Sequence, residues 1–521
     1  MKKIIYILAL LLSVSSCKKG LLDTTPINQK GISDFYKTPD DAFQALVAAY
    51  SVLDWSGFGN ITLTSEIASD NCFGGAGTGD SNVRQWDRFE SLTDHNADAW
   101  TKYYTGIYRV NVLLQNIDKV DFGTNTALKT RYIAEAHFLR AYFYFDLVRM
   151  FGNVVLLTTP VEPGKYSQPQ ANPDDVYKLI ATDLKSAATD LAATPYASIP
   201  AAEYGRATKW AAESLLGRVF LYYTGYYTKT DLVGQVSRED AIKLIDDVIN
   251  NSGHALVPKY ANLFRASGGT DFAGQNNVEG VFNIQYTYLG LKDFNQQNGN
   301  RWQVMIGIRG QVLLPYYKGW GFATVNPKLW NAFAADDPRR SNSIISISGE
   351  NLTSQYSLGD QSQYTGYFCK KYTPLNAGKP EDMGGDFQID NYDNYVAIRF
   401  ADVLLMGAEL NLTANLSVAQ NYYNKVRDRA FQDANHHKTL TSDAAGLQLI
   451  MDERRFELAL EGQRYWDLLR QGLTVAKQAI DNTGMGTDFN VTFRTETKGL
   501  LEIPQTQISL SAGSLKQNPG Y

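Results

Sequence analysis

Thr38-Pro39-Asp40-Asp41-Ala42-Phe43-Gln44-Ala45-Leu46-Val47-Ala48-Ala49-Tyr50 reads as a helix from its first residue to its last. Thr38 is a good N-cap, Pro39 suits the first helical position, and two carboxylates in the first turn favour the positive end of the helix dipole. Phe43, Leu46, Val47 and Tyr50 recur at helical spacing and predict one apolar face. Asn172-Pro173-Asp174-Asp175 repeats the same opening. One chain that starts helices twice in this way points to a mainly α fold built from repeated helical units.

The surrounding sequence extends this pattern. Trp100, Tyr104, Ile107 and Leu114 stripe a second helix that ends near Asp118. Ile133, Ala136, Ala141, Tyr144 and Val148 mark a third, which stops at Phe151-Gly152-Asn153. Ala207–Tyr223 and Arg238–Asn250 supply two more, after the one that Asn172 opens. Helical spacing returns at Ile398–Leu410, Val418–Arg429 and Leu447–Gln471, so the helical parts span about 38–251 and 396–472. Consecutive helices with short connections bury their stripes as antiparallel pairs, and stacked pairs form a solenoid. Ala211, Ala212 and Gly217 permit close crossings of the tetratricopeptide kind, although no strict 34-residue signature repeats. Two segments, about 55–96 and 252–395, turn instead to Gly, Asn, Gln and Tyr. Long loops of that kind carry function more often than scaffold. Within the second, Val278–Ile284 and Arg301–Ile308 read as strands or extended loops.

The amino terminus carries an address. Lys2 and Lys3 precede an apolar run, Ile4–Leu12, and Val14-Ser15-Ser16 stands before Cys17. This reads as a signal peptide over 1–16 with a lipobox, leaving Cys17 as the lipidated first residue of a mature domain, 17–521. The apolar run is too short for a permanent span, so membrane contact is expected through acyl chains alone. A net charge of −5 over 521 residues, with no basic run after Lys18-Lys19, argues against nucleic acid as a partner. Cys72 and Cys369 are the remaining cysteines, and the sequence leaves their pairing open. The aromatic set, 32 Tyr, 24 Phe and 8 Trp, is rich in amphipathic rings beside amides, which suits sugar or peptide contact as well as helix crossings.

Four phrases are similar to those of one known family. They are Ala134-Glu135-Ala136 through Leu147-Val148-Arg149, then Arg399-Phe400-Ala401-Asp402-Val403-Leu404-Leu405-Met406 with Glu409, then Glu453-Arg454-Arg455-Phe456-Glu457-Leu458 through Asp467-Leu468, and the closing Leu515-Lys516-Gln517-Asn518-Pro519-Gly520-Tyr521. In this order they resemble the SusD/RagB outer-membrane lipoproteins of Bacteroidota. The resemblance implies about four tetratricopeptide-like helix pairs plus a loop-rich ligand-binding portion. It also implies a lipid-anchored protein on the outer membrane that binds oligosaccharide or another nutrient beside a SusC-like TonB-dependent transporter, with no catalysis and no cofactor.

In such proteins the ligand site lies in the loops, and two segments here match by position. One holds Asp70, Asn71, the glycine run Gly74 to Gly79, Arg84 and Trp86; the other holds Tyr286, Tyr288, Trp302 and Trp320. Rings stack on the apolar face of a pyranose while Asn, Asp and Arg orient its hydroxyls. Trp100 and Trp466, on helices, are expected in the core. The glycine run lacks the Lys-Ser/Thr of a phosphate loop, and His436-His437 lacks the i, i+4 spacing of a helical zinc site, so no metal is assigned and an exposed loop tip is expected. Glu457 and Glu461 would repel four residues apart on one helix, so Arg464 or Arg140 is expected to bridge them. A protein-binding scaffold and a glycan hydrolase acting through loop acids such as Asp70, Asp80, Asp271 or Asp293 remain as alternatives.

Overall fold

Thr38 caps α1 (Pro39–Tyr50) reciprocally: its hydroxyl accepts the Asp41 N–H at 3.3 Å and the Asp41 carboxylate accepts the Thr38 N–H at 2.9 Å. The computed structural model describes residues 35–521 except 56, 58–59 and 290–297. Residues 1–16, Cys17 and Asp293 therefore lie outside the described residues. α1 buries Ala42, Leu46 and Ala49 and rests Phe43 and Tyr50, half-buried, on the same core, so of the expected face only Val47 is exposed. The stack continues through α2 (Ala97–Asn116), α3 (Thr126–Phe151), α4 (Pro173–Asp190), α5 (Lys209–Tyr226) and α6 (Arg238–Asn251). Each packs on the next in sequence, which is the contact pattern of a solenoid. Gly217 makes one of these crossings possible, since a Cβ there would sit 2.5 Å from Ile245 of α6.

An insertion rich in loops then interrupts the stack. It holds the short helix α7 (Arg301–Ile306), and α8 (Phe400–Asn411) resumes against α6 before pairing with α9 (Leu416–Phe431). The result is a mainly α fold of tetratricopeptide-like pairs, α1/α2, α3/α4, α5/α6 and α8/α9, carrying a loop-rich portion. The helix α10 (Ala444–Glu457) and the short α11 (Arg464–Arg470) close the stack onto α8 and α5. Strands are few. β1 (Cys72–Gly75) pairs antiparallel with β5 (Phe322–Val325), and β2 (Gly280–Ile284) with β8 (Tyr395–Arg399). Between them β3 (Ile308–Arg309) runs parallel to β4 (Lys318–Gly319), while β6 (Ile344–Ser346) meets β7 (Tyr367–Cys369). The segment that opens at Arg301 is thus a helix, not extended, because the Asn300 side chain caps it by accepting the Trp302 N–H at 3.1 Å. Cys72 and Cys369 are buried free thiols, and burial pushes the Cys369 thiol up to about 12.

One buried ionic network fastens the insertion to the closing helices. Arg339, Arg399, Arg427, Arg429 and Lys371 meet Asp337, Glu279, Glu453, Glu457 and Glu461, so five cations face five carboxylates away from water. Arg399 bridges Glu457 at 2.6 Å and Glu461 at 2.7 Å, so the bridging residue is neither Arg464 nor Arg140. Arg464 clamps Asp70 at 2.7 Å, and Arg140 joins α3 to α4 through Asp183 at 2.8 Å. The reason is a break in the expected helix at 447–471. Leu460 and Gly462 take positive φ, the chain turns, and Gly462 N–H donates to Glu66 at 2.6 Å, so Glu461 leaves the helix that bears Glu457.

Acid should dismantle this network first. Burial pushes the Glu457 carboxyl up, but Arg429, Arg399 and Arg339 outweigh it and leave it at about 2, below its ordinary 4.5. Asp70, Asp402 and Asp467 are lowered in the same way by guanidinium neighbours that outweigh burial. Below pH 4.5 the unfolded chain takes protons before the folded one, so the stability these groups give is complete above that value and is lost toward pH 2. Glu66, which burial pushes up to about 7, is protonated in the folded state throughout this range; its unfolded form finishes taking up its proton just below pH 4.5, so it opposes the fall slightly at the upper end and adds no slope toward pH 2. Thermal melts between pH 4.5 and 2 should show a steady fall in midpoint; a flat profile would contradict the network's contribution.

Candidate functional site

The loop-rich portion presents two half-exposed aromatic patches fixed by one buried helix. Val304 of α7 accepts the Trp320 N–H at 2.7 Å, and the neighbouring Gln303 holds Asp393 through both amide atoms, donating to Oδ2 at 2.8 Å and accepting its N–H at 2.9 Å. Six residues thus position both patches, and their burial gives the site a rigid floor.

The first patch surrounds Trp320. Its ring is half-buried, edge-on to Phe322 of β5 with centroids 6.1 Å apart, and Arg309 Nη1 donates to its carbonyl at 2.9 Å. Arg309 also grips Asp360 with two bonds of 2.7 Å and reaches Asp80 at 3.4 Å. The glycine run makes this possible: a Cβ on Gly77 would lie 1.7 Å from Arg309 Nη2. Its backbone is pinned from beneath by Asp87, which accepts Gly74 N–H at 2.9 Å, and by Gln363, whose oxygen accepts Gly75 N–H at 2.8 Å. Burial pushes the Asp87 carboxyl up to about 6 despite those bonds. The run is therefore a close-packing turn, and Arg84, half-buried, lies against Gly74.

The second patch holds Tyr286, Tyr288 and Tyr392. Tyr288 and Tyr392 meet edge to face at 5.6 Å, and the Arg265 guanidinium lies 5.2 Å from the Tyr392 ring while its Nε donates to Asp393 at 2.8 Å. Asn394 Oδ1 accepts the Tyr286 N–H at 3.1 Å, and Asn394 Nδ2 donates to Gln285 at 2.8 Å. Nearby, the Lys318 ammonium lies 4.0 Å from the centre of the half-exposed Phe387 ring. Rings rimmed by amides and paired charges can stack on a sugar face and orient its hydroxyls.

Of the residues singled out in the sequence, Trp320, Tyr286, Tyr288 and Arg84 reach this surface and four do not. Asp70 is 3 % exposed and bound to Arg464 and Arg455; Asn71 is fully buried and donates to Glu66 at 3.3 Å. Trp86 is packed on His95 at 4.3 Å with its indole N–H donated to Asn96 at 3.1 Å. Trp302 is 2 % exposed, because it sits on α7 rather than on a loop. As placed, these four offer no ring or polar face to a ligand. Trp100 and Trp466 are buried, as expected. Arg309, Asp360, Arg265 and Tyr392 join the surface without having been marked in the sequence, and only the density of Tyr and amide residues around Tyr392 hinted at one of them. His436 is half-exposed and bonded to Asp433 at 2.8 Å and Asp336 at 3.1 Å; among the described residues no group of His, Cys, Asp and Glu is arranged to hold a metal ion.

Comparison with known proteins agrees along the length of the chain. Residues 278–521 match the model of the SusD family, and residues 33–221 match one described as "Starch-binding associating with outer membrane". SusD-like protein P2 of Formosa agariphila is 27% identical, covering 99% of this chain and 98% of its own. A SusD-like protein of Bacteroides ovatus is 24% identical over 90% of this chain and 82% of its own. Among solved structures, a laminarin binding SusD-like protein superposes with a TM-score of 0.78 at 29% identity, covering 93% of this chain and all (100%) of that one. Surface glycan-binding protein A from Bacteroides thetaiotaomicron, solved with laminarihexaose, superposes with a TM-score of 0.79 at 23% identity, over 92% of this chain and 100% of that one, which speaks for the fold.

Proposed function

Since the chain belongs to the SusD/RagB family, we propose that it binds oligosaccharide or polysaccharide at the bacterial surface and passes it to a TonB-dependent outer-membrane transporter. The observation that carries this reading is the pair of ring-and-amide patches held rigid on α7. Preformed rings need little ordering when a sugar arrives, which favours binding by a surface that performs no chemistry. Cys17, carrying acyl chains, would tether the protein to the outer membrane, and the loop-rich portion would meet the glycan outside the cell. A glycan resembling laminarin is the first ligand to try, given the 29%-identical laminarin binding relative.

Cleavage would need two carboxyl groups facing a scissile bond at about 5.5 Å or about 6.5–9.5 Å. Asp80 and Asp360 are both engaged by Arg309, and Asp70 is clamped by Arg464 and Arg455, which supports retention over hydrolysis. A pull-down on insoluble polysaccharides, followed by assay of reducing ends, separates the readings. Retention without new reducing ends is expected; release of reducing ends would make the protein a hydrolase, and neither result would point to a protein-binding scaffold.

A further inference from the structure

A second surface has the chemistry of a sugar site and shares no residue with the loop patches. It is an open groove of about 530 Å³, within the range of small-ligand clefts, about 300–1,000 Å³. Three parts of the chain form it: the first half of α2, the connection from α3 to α4, and the carboxy-terminal segment after Pro504. Its walls are already bonded to one another. Ser167 Oγ donates to the Ser511 carbonyl at 2.5 Å, Gln170 and Lys516 exchange bonds of 3.1 and 2.9 Å, and Val155 N–H donates to Tyr104 Oη at 2.7 Å. The groove is therefore built before any ligand arrives.

Its lining is unusual for a solvent-facing surface. Tyr108 is 55 % exposed, Tyr166 73 % and Leu510 75 %, so two rings and an isobutyl group stand in water around one depression. Apolar groups gathered at one exposed place mark a binding surface. Between them lie Gln168, Gln507, Thr101 and Ser514, which supply amides and hydroxyls. Among the described residues that line the groove none is charged. The loop patches, by contrast, carry Arg84, Arg309 and Lys318.

We propose that this groove is a second carbohydrate site, selective for a neutral oligosaccharide. Stacking on Tyr108 and Tyr166 would hold the apolar faces of successive pyranoses, and neutral amides and hydroxyls would pair with sugar hydroxyls. A sulfated or uronic chain would find no cation to offset its desolvation there. Two sites on one tethered protein also raise the retention of a long polymer, since the second contact becomes intramolecular.

Calorimetric titration of the mature protein with laminarihexaose and with maltohexaose tests it. Trp320→Ala should weaken one of two saturable sites about tenfold and leave the second at full affinity for at least one hexaose, and adding Tyr108→Ala and Tyr166→Ala should remove that second site. Both tyrosines are exposed, so an unchanged melting curve will show that the variants are folded. A Trp320→Ala protein with no full-affinity site for either hexaose, or one whose full-affinity site survives removal of both tyrosines, overturns the groove as a sugar site; the former is expected if it seats protein instead. If Trp320→Ala leaves every site intact while the tyrosine variant loses all binding, the loop patch is refuted and the groove stands alone.

Discussion

Replacing Arg399 by Met should destabilise the protein by about 3–5 kcal/mol, the usual cost of leaving a buried charge unpaired. Arg399 stands at the end of β8 and gives Glu461 two bonds of 2.7 and 2.9 Å, with further bonds to Glu457 at 2.6 Å and Glu279 at 2.8 Å. Its second terminal nitrogen also donates to the Glu457 carbonyl at 2.6 Å. Methionine fills much of the same space but leaves the carboxylates with one cation too few in a region closed to water. Arg429, Arg339 and Lys371 cannot make up the difference, because each is already engaged within the network. Glu279 precedes β2 and Glu457 ends α10, so the loss also frees the loop-rich portion from the closing helices. Urea denaturation followed by circular dichroism measures it. A midpoint equal to that of the wild type would contradict the structural role, and Arg399→Lys should fall between the two because a single ammonium cannot reproduce the forked contact.

Arg464→Leu should act in the same direction with a smaller effect, about 1.5–3 kcal/mol, corresponding to hydrogen bonds made to a charged group. Arg464 reaches Asp70 with bonds of 2.7 and 3.1 Å from the start of α11, and Arg455 of α10 holds the same carboxylate at 2.8 Å. The remaining arginine keeps Asp70 partly compensated, which is why the cost is lower than at Arg399. Asp70 lies two residues before β1, whose partner β5 follows Trp320, so the clamp braces the first aromatic patch from behind. Lower folded yield and a lower melting temperature are expected, beyond any change in sugar affinity. An unaffected melting curve would remove Arg464 from the scaffold.

The helical half of the fold was legible because its signals are local. Thr38-Pro39-Asp40-Asp41 and Asn172-Pro173-Asp174-Asp175 announce helices through capping chemistry that needs no tertiary partner, and both helices are present. The break at Leu460–Gly462 escaped because only the bond from Gly462 to Glu66, nearly four hundred residues away in sequence, rewards the turn. The bridging arginine escaped for the same reason: Arg399 reaches Glu457 and Glu461 across 58 and 62 residues. At the candidate site, residue type identified the right segments but not their exposed members. Trp302 and Trp320 look alike in a Gly- and Tyr-rich stretch, yet the Asn300 cap turns Trp302 into a helix and inward, while Trp320 lies just past β4 at the rim.

In the proposed function, Trp320 and its neighbours act as a glycan platform on a body that does not cleave. Affinity electrophoresis of Tyr108→Ala, Tyr166→Ala proteins with and without Trp320→Ala, in gels containing laminarin or another polysaccharide that retards the protein retaining Trp320, isolates the contribution of Trp320. The protein lacking Trp320 should bind roughly tenfold more weakly, since a sugar face covering about 55 Å² of ring at about 25 cal/mol per Å² contributes about 1.4 kcal/mol. Equal retardation of the two proteins would remove Trp320 from any glycan platform.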